Sequence, residues 1–433
     1  GGGGGGGGER EGDEMGGGEQ RYEPRLVVFS GGTAFNCVAK ELGQFTTRVT
    51  HVLPVSDDGG STAEVVRVLG GPAVGDIRSR CLRLADTSTR EARAVRALLG
   101  HRLNSKDSYE AKREWMRIVE GDHELWKGIS ESYSDTMRGF LVHFQSQLLR
   151  RASDGFDFRN GSVGNFFFAG ARTFFRSLDA AIFLYSRVSG LDPHTLVLPC
   201  INTMDQITLG ARCKDGTIIC GQNEISHPAD PDNGAVVDKT GRLPKLASPI
   251  QRVMYLSNRS KGHIDYTAHE VFPQVHPQVL EKISNADGIV YGMGSLYTSV
   301  CPSLALVGVG EYIAERDCPK VLMLNGYPDR ETATMTASQF VQAVTDTLNR
   351  EGTEDALSHP PTAYVSAVIA PAEGLVELDE DAIAEQGISI IKLSSTVKEG
   401  EEGDIRLFEP PALIESLAEI VGEHARAGAA TSA

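Results

Sequence analysis

The chain has 433 residues and a formal net charge of −16 at neutral pH, with 40% hydrophobic and 23% charged residues. These fractions are typical of a globular protein, and the length allows one large α/β domain or two smaller ones. Proteins that bind nucleic acid usually present a basic face, so the acidic balance disfavours a nucleic-acid partner. No stretch reaches the roughly 18 uninterrupted apolar residues of a spanning helix. The composition therefore predicts a soluble protein that does not enter a membrane.

Seven cysteines are scattered along the chain without C-x-x-C spacing, and several lie inside apolar runs. This distribution favours reduced core cysteines over a disulfide or zinc framework. We therefore expect an intracellular protein. The first residues lack the composition of a transit peptide, which leaves the compartment open between cytoplasm and organelle.

The chain divides by composition into a tail and a domain. Residues 1–23 are rich in glycine and acidic residues and contain too little apolar surface to repay the entropy of ordering, which predicts a disordered tail. Residues 24–433 are predicted to form one α/β domain. Within it, residues 87–159 are polar and helical in character and predict a helical insertion or cap.

Short apolar runs alternate with helical patterns from residue 25 onward. Leu26–Phe29 and residues 49–55 are predicted strands, and each is followed by a turn and a helix. Further strands are predicted at Gly288–Tyr291 and at residues 320–324, 363–369 and 388–393. This alternation predicts a Rossmann-like, doubly wound and mostly parallel sheet. The Asp215-Gly216 pair predicts an antiparallel hairpin that joins this sheet.

Four of the predicted strand ends carry glycine and polar residues. In doubly wound sheets, ligands bind outside the carboxyl ends of the strands, and glycine lets a diphosphate approach the main chain. A following helix adds free N–H donors. A phosphorylated nucleotide-type ligand is therefore predicted here, although neither the P-loop nor the nicotinamide fingerprint is present. The candidate phosphate-binding residues are Gly31, Gly32, Thr33, Gly59, Gly60, Ser61, Gly164, Asn165, Gly294, Ser295 and Asn325.

The polar residues beside these loops each allow a structural and a chemical role. Asp57 and Asp58 are candidate catalytic residues that take a proton or hold Mg²⁺, and the alternative is that they cap the loop. Arg78 and Arg80 are placed to contact an anion or to pair with Asp76. Asn165 is placed to contact a ligand hydroxyl or to cap a helix.

Together these blocks resemble the CofD-like family, which contains the 2-phospho-L-lactate transferases and the gluconeogenesis-factor proteins. The resemblance runs from about Arg25 to at least Thr332, and its blocks occur in the same order throughout. They read Gly-Gly-Thr (31–33), Asp-Asp-Gly-Gly-Ser (57–61), Gly-Asp-Ile-Arg (75–78), Gly-Ser-Val-Gly-Asn (161–165), Gly-Met-Gly-Ser-Leu-Tyr-Thr-Ser (292–299) and Arg-Glu-Thr (330–332).

The resemblance implies a Rossmann-like sheet, a homodimer, and glycine loops around the phosphates of a ligand. Transferase members move a phospholactyl-type group from a guanosine diphosphate conjugate to a deazaflavin alcohol with Mg²⁺, whereas gluconeogenesis-factor members resemble nucleotide-sugar-binding regulators. The blocks at 57–61 and 75–78 look closer to the regulators. We expect a transferase of the 2-phospho-L-lactate transferase type, and the alternative is a non-catalytic regulator of carbon metabolism that binds a nucleotide sugar.

Removal of residues 1–22 tests the predicted tail. Because their composition gives them no apolar surface to bury, the truncated protein should melt at the same temperature as the full chain. Thermal denaturation followed by circular dichroism measures this. A decrease of several degrees would show that the tail packs on the domain.

Overall fold

The computed structural model describes residues 1–3, 23–57, 59–151, 155–226, 229–230, 234–235, 245–257, 270–398 and 405–431. Two regions singled out by the sequence lie outside the described residues: most of the predicted tail, at 4–22, and the candidate catalytic residue Asp58. Among the described residues, no helix combines the length and the hydropathy that crossing a bilayer requires.

The strands of the described residues are β1 (Leu26–Phe29), β2 (Val49–Leu53), β3 (Leu196–Pro199), β4 (Ile207–Cys213), β5 (Ile218–Cys220), β6 (Ala229–Asp230), β7 (Gly234–Ala235), β8 (Ile250–Ser257), β9 (Glu270–Val271), β10 (Gly288–Tyr291), β11 (Lys320–Met323), β12 (Ala367–Pro371), β13 (Ser389–Leu393), β14 (Ser395–Lys398) and β15 (Ile405–Phe408).

The α-helices are α1 (Asn36–Ala39), α2 (Leu42–Phe45), α3 (Gly60–Leu69), α4 (Gly75–Leu84), α5 (Arg90–Gly100), α6 (Ser108–Glu120), α7 (Glu131–Arg150), α8 (Val163–Phe175), α9 (Leu178–Val188), α10 (Gln222–Ser226), α11 (Pro277–Ser284), α12 (Cys301–Leu304), α13 (Val309–Ala314), α14 (Ala337–Leu348), α15 (Glu380–Glu385) and α16 (Pro410–Thr431). A π-helical turn, Leu296–Val300, precedes α12.

Seven parallel strands form the central sheet, in the order β13-β12-β11-β10-β1-β2-β3. The chain starts at β1, builds outward through β2 and β3, and later returns to the other side of β1 with β10. The order therefore reverses between β1 and β10, and the loops that follow these two strands flank the switch point where such sheets bind ligands. This arrangement confirms the predicted Rossmann-like, doubly wound α/β fold.

Alternate residues of the central strands pack on opposite faces of the sheet. Val27 and Phe29 belong to a large core with the helices on one face. Leu26 and Val28 pack in a smaller core on the other face, which contains residues of α1, α2 and α16. Both faces are covered, so the central strands β1 and β10 are fully buried, as the inner strands of parallel sheets are.

The predicted Asp-Gly hairpin is present, but it does not join the parallel sheet as expected. β4 and β5 pair antiparallel around Asp215 and Gly216, and Gly216 has a φ of +89°. They form a separate four-stranded sheet in the order β5-β4-β8-β9. The long strand β8 pairs with β4 from Ile207 to Cys213, which occupies the edge that the parallel sheet would have needed.

Two glycines on facing helices provide a matched test of the packing between α7 and α8. A Cβ at Gly170 would overlap the carbonyl oxygen of Phe140, whereas a Cβ at Gly139 would meet nothing within 4 Å. Gly170→Ala should therefore destabilise the protein by about 1–3 kcal/mol through overpacking. Gly139→Ala should stabilise it by up to about 1 kcal/mol, because alanine favours the helix. Denaturant titration of both variants measures the difference, and equal effects would contradict the close helix approach.

Candidate functional site

The loops after β1, β10 and β11 lie against one another at the switch point. A Cβ at Gly31 would come within 2.6 Å of Ser299 Oγ, so the first loop lies directly on the π-helical turn. Asn325, after β11, accepts from the Gly294 N–H at 3.0 Å and donates to the Gly294 carbonyl at 2.9 Å. These contacts bring the predicted residues Gly31, Gly294 and Asn325 together at one edge of the sheet.

Helix α4 holds the loop after β1 from the other side. The Ser79 hydroxyl donates to the Gly32 carbonyl at 2.9 Å, and the Asn36 side-chain amide donates to the same oxygen. The Gly32 N–H donates to the Asp76 carboxylate. A Cβ at Gly32 would overlap the backbone and side chain of Asp76, so only glycine fits this approach.

Arg80 is buried completely beneath the loop after β1. It lies over the Phe35 ring, 5.2 Å from the centroid, and burial lowers its pKa to about 10. Its guanidinium donates to four acceptors: Asn36 Oδ1 (2.7 Å), His51 Nδ1 (2.8 Å), Gly31 O (2.8 Å) and Ser30 Oγ (3.2 Å). Burial and the Arg80 charge lower the pKa of His51 well below its usual value, so this histidine is the neutral acceptor of the pair. Arg80 therefore shapes the loop from beneath. It does not face the crevice, which is the space outside the carboxyl ends of β1, β2, β10 and β11.

Asp57 begins the loop after β2 and caps it. Its Oδ1 accepts from the Gly59 N–H at 3.0 Å, and its carboxylate also accepts from Thr62 in the first turn of α3. A Cβ at Gly75 would overlap both Asp57 Oδ2 and Thr62 Oγ1. The capping role that the sequence allowed is therefore present at Asp57, and it places the second carboxylate oxygen against the start of α4.

The carboxyl groups of Asp57 and Asp76 form a pair, and both residues are partly buried. Burial raises the pKa of Asp57, and the neighbouring Gly59 N–H and Arg78 charge oppose this shift. Burial and the charge of Asp57 raise the pKa of Asp76 to about 7, against the opposing charges of Arg80 and Arg78. Two negative charges therefore repel each other where the loops after β1 and β2 meet. The sequence considered Asp76 only as an ion-pair partner for Arg78 and Arg80, whereas the structure also brings it beside Asp57.

Asn165 links three of the predicted blocks. Its Oδ1 accepts from Arg78 Nε at 2.9 Å, and its Nδ2 donates to Ser61 Oγ at 2.8 Å and to Thr62 Oγ1 at 3.3 Å. The cap of α8 is Ser162, whose hydroxyl accepts from the Asn165 N–H at 3.4 Å. Asn165 is therefore a bridge between α4 and the loop after β2, and the capping role considered for it belongs to Ser162.

The remaining candidates differ in exposure. Thr33 and Gly60 are exposed, and Ser295 is half-buried where the π-helical turn begins. Gly60 has a φ of +51°, a conformation that glycine adopts readily. Gly164 is buried, and a Cβ there would overlap the Leu99 carbonyl, so its glycine is required by packing.

Sequence reasoning did not single out Glu331, which lies behind the π-helical turn and is 5% exposed. Its Oε1 accepts from Ser226 Oγ and Thr298 Oγ1, both at 2.6 Å, and its Oε2 accepts from the Tyr297 N–H at 3.0 Å. Burial and the charge of Asp329 raise its pKa to about 7. The Arg-Glu-Thr block at 330–332 was the signal that could have identified it, because a glutamate beside the loop after β11 reaches the adjacent strand end.

Known proteins resemble this chain over most of its length. The family described as 2-phospho-L-lactate transferase CofD matches residues 26–395. An uncharacterized protein of Saccharomyces cerevisiae is 31% identical over 444 aligned residues, which cover 87% of this chain and 97% of that protein. The gluconeogenesis factor of Halalkalibacterium halodurans is 26% identical over 84% of this chain and 88% of its own length.

A solved structure shares the fold. The crystal structure of a UPF0052 family protein from Bacillus halodurans superimposes with a TM-score of 0.62 and is 22% identical. The superposition covers 92% of this chain and 99% of that protein. At this level of identity the match supports the fold alone.

The raised pKa of Glu331 predicts how stability depends on pH. The folded protein holds the Glu331 proton up to pH about 7, whereas the unfolded chain releases it near the ordinary value of 4.5. Stability from this group is therefore present below pH about 4.5 and is lost as the pH rises through 7, by at most about 3 kcal/mol. Raising the pH from 5 to 8 should lower the melting temperature several degrees more in the unmutated protein than in Glu331→Gln.

Glu281→Gln, on the exposed side of α11, is the matched control for this comparison. It should retain the pH dependence of the unmutated protein, because its carboxylate is in solvent. Identical slopes for Glu331→Gln and the unmutated protein would show that Glu331 does not titrate in this range.

Proposed function

The chain belongs to the CofD family, and we propose that it is a transferase that moves a phosphorylated acid group from a nucleotide diphosphate conjugate to an alcohol acceptor. The observation that carries this proposal is the partly buried carboxylate pair, Asp57 and Asp76, where the glycine loops after β1 and β2 meet. A metal-assisted transfer to an alcohol requires carboxylates beside the diphosphate, whereas binding alone does not.

The loops supply a local site for the diphosphate in a protein of net charge −16. Main-chain N–H groups in the first turn of α3 provide donors that an anion accepts, whereas the Gly32 and Gly59 N–H groups already donate to Asp76 and Asp57. The N-terminal cap of α3 is Gly59, which has no side chain to occupy these donors. Hydroxyl groups of Thr33, Ser61 and Ser295 add donors on the open side. This local arrangement is what overcomes the long-range repulsion of an anionic ligand.

The donor set at the carboxylate pair fits Mg²⁺. Mg²⁺ prefers hard oxygen ligands and is usually held by one or two carboxylates together with phosphates of the substrate and water. Asp57 and Asp76 would hold the ion, and their mutual repulsion, which raises the pKa of Asp76, would be relieved by it. When bound, the ion supplies positive charge beside the diphosphate. Among the described residues, no group of three histidine, cysteine or carboxylate side chains forms a metal cage.

The transfer step is a displacement at phosphorus. The oxygen of the acceptor alcohol forms a bond to the phosphorus that bears the acid, and the anhydride bond to the other phosphate breaks, so a nucleoside monophosphate leaves. The alcohol proton passes to a carboxylate of the loop 57–61. The N–H donors of the glycine loops stabilise the charge that develops on the phosphate oxygens.

The second candidate function is that of a regulator that binds a nucleotide sugar in the same crevice. The relatives named gluconeogenesis factor favour it. In this case the loops bind the diphosphate, and binding changes a surface that interacts with another molecule. No substrate is turned over. A homodimer fits either function. Product formation separates the two candidates.

Asp57→Asn and Asp76→Asn test the transferase, because each variant removes charge and nearly preserves shape. Without Mg²⁺, both variants should bind a guanosine diphosphate conjugate at least as tightly as the unmutated protein does, because each removes a negative charge that repels the diphosphate. With Mg²⁺, product formation should decrease about a hundredfold or more. Calorimetry measures binding, and release of nucleoside monophosphate measures turnover. Asp122→Asn, on an exposed turn before Glu124–Trp126, is the matched control and should retain full activity.

Two results would contradict the proposal in different ways. Tight binding by the unmutated protein without product, for any phospho-acid conjugate and alcohol acceptor, would identify a regulator. The absence of binding for guanosine and uridine diphosphate conjugates at millimolar concentration, with Mg²⁺, would exclude both candidates.

A further inference from the structure

Two arginines lie at the crevice without a carboxylate in ion-pair contact. Arg78 is 9% exposed and donates its Nε–H to the neutral amide oxygen of Asn165 at 2.9 Å. Arg102, from the segment between α5 and α6, donates to the Asn160 carbonyl at 3.2 Å. The ion pairs found among the described residues include neither of them. Arginines of this kind are available to an anionic ligand.

Both arginines border the turn at residues 161–164. Residues 101–103 run antiparallel to 161–163: the Leu103 N–H donates to the Gly161 carbonyl at 2.9 Å, and the Val163 N–H donates to the His101 carbonyl at 3.1 Å. This bridge sets Arg102 opposite Ser162. Two residues further along the turn, Arg78 Cδ would lie 3.1 Å from a Cβ at Gly164.

The same turn contacts the loop that is proposed to hold the diphosphate. The Ser162 N–H donates to Ser61 Oγ at 3.4 Å, and Asn165 donates to the same oxygen. When a diphosphate binds at the loop 57–61, the group attached to it therefore lies near the turn and near Arg78 and Arg102. The helical segment 87–159 contributes to the crevice through Arg102.

The charges at this position favour a second anion. Burial and the positive charge of Arg78 lower the pKa of Arg102. The carboxylates whose charges reach Arg78 are Asp57 and Asp76, which the proposed function assigns to Mg²⁺. Arg78 is buried and Arg102 is exposed. Their positive charges repel each other, and an oxyanion that binds to both reduces that repulsion.

We infer that Arg78 and Arg102 form an oxyanion subsite for the carboxylate of the transferred acid, and that Arg102 determines selectivity for acidic over neutral conjugates. The inference rests on the proposed function, since it places the acid beyond a diphosphate bound at the glycine loops. The planar fork of arginine matches a carboxylate through two parallel hydrogen bonds. A neutral sugar offers the two guanidinium groups no charged partner, so it lacks the charge-assisted hydrogen bonds that a carboxylate forms.

A pair of ligands that differ only in charge tests the subsite. The first is guanosine diphosphate esterified to the hydroxyl of lactate, and the second is the same compound with its carboxylate methylated. The unmutated protein should bind the acid at least about tenfold more tightly than the methyl ester. Arg102→Gln should lose about tenfold for the acid and less than twofold for the ester. Arg102→Lys keeps the positive charge but lacks the planar guanidinium group. Its affinity for the acid should lie between those of the unmutated protein and Arg102→Gln. Calorimetry at fixed Mg²⁺ and ionic strength measures all three.

Arg113→Gln is the matched control, because it removes an exposed arginine of α6 that pairs with Glu110. It should leave both affinities unchanged. Equal affinities of the unmutated protein for acid and ester, or equal losses for both in Arg102→Gln, would overturn the subsite while leaving the proposed function intact. Failure of both ligands to bind the unmutated protein would overturn the proposed function, and the subsite with it.

Discussion

The geometry of the crevice depends on one buried charge, the guanidinium of Arg80. A buried cation is tolerated only when its donors are satisfied, and here they are satisfied by Asn36, His51, Ser30 and the Gly31 carbonyl. These acceptors are all neutral, so the positive charge remains beneath the loop after β1. It therefore fixes the loop and also contributes a positive potential where an anion would bind. Loss of Arg80 would remove the donor shared by these four acceptors and leave Ser79 and Asp76 as the hydrogen-bonding side chains of α4 that still hold the loop.

The glycines at the strand ends allow separate loops to interlock. Gly31 lies on Ser299, Gly32 lies on Asp76, and Gly75 lies on Asp57 and Thr62, so each glycine admits a neighbour from another element. A Cβ at any of these positions would push two strand ends apart. Because these glycines have no side chain, the carboxylates of Asp57 and Asp76 lie close together. For the same reason, main-chain N–H groups at the edge of the sheet remain accessible.

The sequence predicted the sheet well because its signal is local: each buried strand is an apolar run, and β10 has the predicted bounds, Gly288–Tyr291. The contacts of the candidate site were harder to predict, since they join side chains from elements that are far apart in sequence. Helical spacing could not show that Arg80 turns toward Gly31 while Arg78 turns toward Asn165. Nor could it show Asp76 beside Asp57, or Arg102 beside Arg78, because these depend on how α4 and the segment after α5 pack. The separate antiparallel sheet was missed for the same reason, since β8 follows β4 at long range.

The two candidate functions differ in what they require of the carboxylates. The positive groups near the crevice, Arg78, Arg80 and Arg102, all favour an anion, and the start of α3 adds to them. Asp57 and Asp76 oppose it, because two carboxylates repel a diphosphate at short range. A protein that only bound the diphosphate would bind it more tightly with neutral residues at these two positions. A divalent cation between the carboxylate pair and the phosphates would remove this repulsion, because both groups would then bind the same ion. The charge arrangement of this crevice therefore favours the metal-assisted transferase over the regulator.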